Sequence, residues 1–217
     1  MQDEGGAPQW QADAEGLMAL EAEIPVLNAL RDFTARALRG RWFAELGEPF
    51  DPQTAQIARA YLDGLGFPDA EAIAVLNWDD ALDASESLDL NAEAWEAEEQ
   101  LRAALMDEVL QNVSEEGLGV LLAHLAAELA TVLPDMIDEA LMMADELPDA
   151  IRDLGVGAAQ QAAHGAALAL AAAVIAAQDA DLQAGEEALN HPLLLRYRLF
   201  ELGRWPLALT GRTLNLF

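Results

Sequence analysis

Residues 157–177 read GAAQQAAHGAALALAAAVIAA. Twenty-one residues dominated by alanine, without proline or charge, restrict this stretch to helix. The run is also long enough to span a bilayer. Alanine adds little hydrophobicity, however, and Gln160, Gln161 and His164 interrupt the run. We therefore expect a helix packed inside a soluble bundle, where small side chains let neighbouring helices approach closely.

The rest of the chain agrees with a helical frame. Hydrophobic residues make up 53 % of its 217 residues, too many for a disordered acidic chain and enough for one large core. Alanine and leucine supply most of them, whereas valine, isoleucine and threonine are sparse, which argues against extended sheet. Capping residues and prolines mark helix starts at Asp51-Pro52, Asn91, Ser114 and His191-Pro192. Pro25, Pro68, Pro134 and Pro148 are read as opening further helices, one of them carrying Ile73 and Leu76. LPDMIDEA and LPDAIRDL, similar at a 14-residue offset, suggest two short helices at an angle. WPLAL and TLNLF flank a glycine-containing turn and read as a hairpin. The expected fold is all-α, a multi-helix bundle of about eight helices spanning 12–203. A flexible lead-in occupies 1–11, and a small C-terminal β-hairpin, 204–217, packs on the bundle.

Charge narrows the function. The formal net charge is −28, and the eleven cations are all arginine. Between Ala60 and Ile151 there are 23 acids and one base, Arg102. Such a field repels free nucleic acid and anionic membranes and steers cationic surfaces. Cysteine and lysine are absent, which excludes disulfides, thiolate zinc sites, cysteine nucleophiles and Schiff-base chemistry. The acidic N-terminus MQDEGGAPQW lacks the apolar core of a secretory signal, so a cytoplasmic location is expected.

The tail from Asn190 onward breaks the pattern, with four arginines against the single acid Glu201. Arg196, Arg198, Arg204 and Arg212 with Trp205 form a candidate partner-binding set, since Trp and Arg dominate binding hot spots. The plainer reading is that these arginines pair with the protein's own acidic helices. His124 and Glu128, four apart on one helix face, are expected to hydrogen-bond in the core, and His164 sits among alanines. These three define an alternative pocket for a small molecule or a hydrolytic reaction. No Glu-x-x-His pair, calcium loop, nucleophile elbow or phosphate loop occurs, so neither a metal nor a cofactor is expected. No motif is specific enough to name a family. The leading expectation is a non-enzymatic acidic protein that binds a basic protein partner, as an immunity protein or neutraliser, an adaptor or an assembly factor. Homo-oligomerisation is a further reading.

Overall fold

The computed structural model describes residues 9–85, 90–142, 149–179 and 181–217. Among them the order is α1 (Gln9–Ala37), α2 (Pro52–Gly64), β1 (Glu71–Ala74), α3 (Trp78–Ser85), α4 (Ala92–Leu110), α5 (Glu115–Leu141), α6 (Asp149–Gln178), α7 (Leu182–Leu189), α8 (Pro192–Glu201), β2 (Pro206–Thr210) and β3 (Thr213–Leu216). The architecture is all-α with a small sheet near the C-terminus.

The helix starts follow from capping. Amides in a first helical turn lack intrahelical partners, and a side-chain acceptor supplies one. Asp51 accepts from the Gln53 and Thr54 amides at 2.7 and 2.9 Å. Asn91 accepts from Ala94 at 3.1 Å, Ser114 from Gly117 at 3.2 Å, and the His191 imidazole from Leu193 at 3.2 Å. Pro52 and Pro192 occupy first-turn positions, where a missing N–H costs nothing.

The alanine-rich run lies in α6, which packs against α1, α4, α5, α7 and α8. Ala163, Ala166, Ala169, Ala171 and Ala172 are completely buried. A methyl group on Gly155 would stand 2.1 Å from Ile137 Cδ1, so the Ile137 side chain of α5 fills the space over this glycine of α6. Two helices, Glu115–Leu141 and Ile151–Gln178, are long and apolar enough to cross a membrane by length and composition alone. Two-thirds of the apolar window of the second is buried inside the protein, against 22 % for the first.

Several expected boundaries differ. Pro25 lies inside α1 and Pro134 inside α5. Each helix forgoes one backbone hydrogen bond there. Packing beside the proline outweighs that loss: Val26 and Leu30 are buried after Pro25, and Leu133 and Ile137 flank Pro134. LPDMIDEA is thus the end of α5, not a separate helix. LPDAIRDL leads into α6, which runs unbroken from Asp149, while Pro148 lies outside the described residues. Residues 1–8 of the expected lead-in lie outside them as well, and α1 already begins at Gln9.

The helix expected after Pro68 is a strand. β1 pairs in parallel with β3, and β3 pairs antiparallel with β2, so the hairpin becomes a three-stranded sheet ordered β1-β3-β2. The helix-forming EAIA of β1 is held extended by its register with Thr213–Leu216. Trp205 and Phe217, at the base of the hairpin, exchange both backbone hydrogen bonds and join the main core.

The connector between α1 and α2 is held from several sides. The Trp42 indole donates to Ala37 O at 2.7 Å, and the Glu45 amide donates to Gly203 O at 3.1 Å. Phe43 adopts φ +61°, a conformation bulky residues avoid, and Gly47 adopts φ +75°. The Phe43 ring explains why the strain is tolerated. It is buried edge-on between Phe200 and Trp205, with centroids 5.8 Å from each.

Candidate functional site

The basic tail sits on the body in three different ways. Arg196, on α8, meets Glu98 of α4 at 2.5 Å, and both side chains are nearly buried. Arg212 meets Asp69 at 2.8 Å in full solvent, where an ion pair contributes little. Arg204 pairs with no carboxylate among the described residues. Its buried guanidinium donates to the backbone carbonyls of Glu45, Glu48 and Pro49, and so clamps the connector. Arg198 is half-exposed on α8, with no ion-pair partner among the described residues. Trp205 is buried against Phe43. Arg204 and Trp205 therefore face inward, and with Arg196 also nearly buried the five residues do not form one exposed surface. The placement of Arg204 and Trp205 follows from the Gly203 turn, at φ +84°, which folds the chain back onto the connector.

Sequence reasoning missed the polar cluster around Glu98. Glu98 is only 8 % exposed. It accepts hydrogen bonds from the Tyr61 hydroxyl of α2 and from Arg196 of α8, so three helices meet on one carboxylate. Burial, then the Glu98 charge, pushes the Tyr61 hydroxyl well above the ordinary phenol range. Ion pairing and hydrogen bonding together offset the cost of burying this carboxylate. The only hint in the sequence is that Glu98 lies four residues from buried Ala94 on the apolar side of α4.

The Glu98 cluster forms part of a cleft of about 380 Å³ between α2, α4, α8 and the β2–β3 hairpin. Its other walls are mostly apolar: Leu62, Leu65, Ala94, Pro206, Leu209 and Leu214. Two large side chains at its mouth are exposed, Trp95 at 66 % and Leu90 at 52 %. Glu93 and Glu96 each follow a lining residue of α4, Ala92 and Trp95, and both are exposed without an ion-pair partner among the described residues.

A second, larger hollow of about 870 Å³ is bounded by the connector, the start of α3 and the last turns of α5. The sequence reading missed this one too, because the chain segments that form it are far apart.

The histidines do not converge on a pocket. His124 is exposed on α5, 3.9 Å from Glu128, in solvent and not in the core where the pair was expected. His164 is half-buried in α6 with its Nε2 unpartnered, and burial lowers its pKa below the ordinary imidazole value. None of His124, Glu128 and His164 lines either hollow. Among the described residues no group of three or more His, Asp or Glu side chains could hold a metal ion.

These features define a class, an acidic all-α bundle with a clamped three-stranded sheet and an apolar cleft beside it. No known family matches the chain, and no curated protein or solved structure matches it significantly.

Proposed function

We propose that the protein is a non-enzymatic binder of a basic protein partner, acting as a neutraliser or adaptor, and that it grips the partner at the α4–β2 cleft. The observation that carries this reading is Trp95, two-thirds exposed at the mouth of an apolar cleft, on a helix that also carries the exposed Glu93 and Glu96. An exposed tryptophan beside a groove is the residue type that dominates interface energetics. The two glutamates, within a region of 23 acids and one base, attract a cationic surface and speed its arrival. An apolar side chain of the partner would fill the cleft while its arginines or lysines meet the acidic surface of α4 outside it.

The test is capture from the source lysate with wild type, Trp95→Ala and Glu93→Gln/Glu96→Gln as baits, followed by titration of the purified partner. The expected partner is basic and is released by moderate salt. Trp95→Ala should weaken it by about 30-fold, corresponding to a hot spot of about 2 kcal/mol. The double glutamine variant should mainly slow association and flatten the salt dependence. An acidic partner, or one bound equally well by Trp95→Ala, would overturn the reading.

A further inference from the structure

We infer that the larger hollow is a binding site for a small organic cation, an amine or guanidinium carried on an apolar or aromatic body. The site shares no residue with the α4–β2 cleft and does not depend on it. At about 870 Å³ it lies within the usual range of ligand pockets. Part of the lining is apolar and aromatic: Trp42, Phe43, Trp78 and Phe217, together with Leu76 and Met136. Trp78 packs edge-on against Phe217 at 4.5 Å, so these rings are already fixed. Methionine adapts to ligands of varied outline.

The charge around the hollow is negative. The one lining cation among the described residues, Arg41, is ion-paired with Glu45. Two lining carboxylates, Asp79 and Glu139, have no ion-pair partner among the described residues. They are not equivalent. Asp79 lies in the first turn of α3, where the amide end of the helix offsets part of its charge. Glu139 lies in the last turn of the 27-residue α5, whose carbonyl end adds to its charge, and no basic residue of α5 stands there. Arg152 of α6 reaches that helix end but is taken up by Asp138 at 2.8 Å. A ligand cation beside Glu139 would supply the positive charge the helix end lacks, with its apolar body against the rings.

The hollow is also built in advance. Phe43 holds a left-handed backbone and Gly47 allows the connector to pass close to Leu76 O, where a methyl group would stand 3.1 Å away. Arg204 clamps the same connector from behind. A rim fixed before the ligand arrives loses little entropy on binding.

Calorimetric titration with phenethylamine, and with its neutral counterpart 2-phenylethanol, tests the inference on the intact protein. The amine should saturate at one per chain and bind at least tenfold tighter than the alcohol. Asp79→Asn/Glu139→Gln should abolish that preference, with Glu139→Gln alone giving most of the effect. Glu93→Gln/Glu96→Gln should leave it intact, which separates this site from the partner cleft. Equal binding of amine and alcohol to wild type would overturn the inference, whatever the variants do. So would several equivalent amines per chain, indifferent to Asp79 and Glu139, since that describes counter-ions spread over an acidic surface.

Discussion

Replacing Arg204 with alanine should destabilise the protein more than replacing any other tail arginine. The guanidinium is 3 % exposed and makes three hydrogen bonds to main-chain carbonyls of one connector. Hydrogen bonds to a charged donor are worth about 1.5–3 kcal/mol each, which sets an upper range of about 4–9 kcal/mol. Glu48 and Pro49 are themselves exposed, so water can replace part of what their carbonyls lose. The expected cost is therefore near the bottom of that range, about 4 kcal/mol. In a chain of this length each kcal/mol lowers Tm by about 2–4 °C, so the loss should be about 8–16 °C. Thermal unfolding followed by near-ultraviolet circular dichroism reads it directly. Arg204→Lys is the informative control, because one ammonium cannot reproduce a planar fork reaching three acceptors. It should recover less than half of the loss, and amide exchange should speed up at Glu45, whose N–H is bonded to Gly203 O. A Tm loss below about 2 °C for Arg204→Ala, or a lysine variant as stable as wild type, would refute the clamp.

Three further outcomes follow from the same structure. Tyr61 and Tyr197 are the only tyrosines, and burial drives both phenols above their ordinary range, so the folded protein should show no tyrosinate absorbance at about pH 10, where the unfolded chain is half ionised. Glu98→Gln should cost about 3 kcal/mol by stranding Arg196, and Glu98→Gln/Arg196→Met should recover most of it, a coupling that a double-mutant cycle in urea would measure. The neutral His191 imidazole accepts the Leu193 amide, and burial lowers its pKa, so the unfolded chain takes up the proton first. Its contribution is complete above the unfolded value of about 6.5 and is lost as pH falls below that value. His191→Asn keeps a cap that does not titrate, so its Tm should fall less than that of wild type between about pH 7.5 and 5.5.

What could be read from the sequence was local. Asp51, Asn91, Ser114 and His191 announced their helices because a capping bond reaches only two or three residues. The alanine run announced α6 because small side chains leave few other roles. The chain misled where distant contacts outvoted local preference. EAIA at 71–74 favours helix by composition, yet pairs with residues at the far end of the chain. Pro25 and Pro134 normally end helices, yet packing carries α1 and α5 through them. The candidate sites show the same division. The tail arginines were visible as a charge anomaly, but nothing near Arg204 in sequence foretold that its acceptors would be carbonyls at 45–49. Glu98 looked like one acid among many because both of its partners lie at least 37 positions away.

The parallel pairing of β1 with β3 also sets an order in time. Glu71 and Thr213 are about 140 positions apart. Closing a loop of that length costs about 4 kcal/mol before any contact repays it. During synthesis β1 must wait, with Val75 beside it uncovered, until almost the whole helical body has emerged and residues 213–216 arrive. Folding of this helix-rich chain should therefore end on slow, long-range steps that bring α8 and the hairpin onto α2, the connector and β1. A nascent chain stopped before β3 would carry an open strand edge, the kind of surface on which unfinished proteins stick to one another.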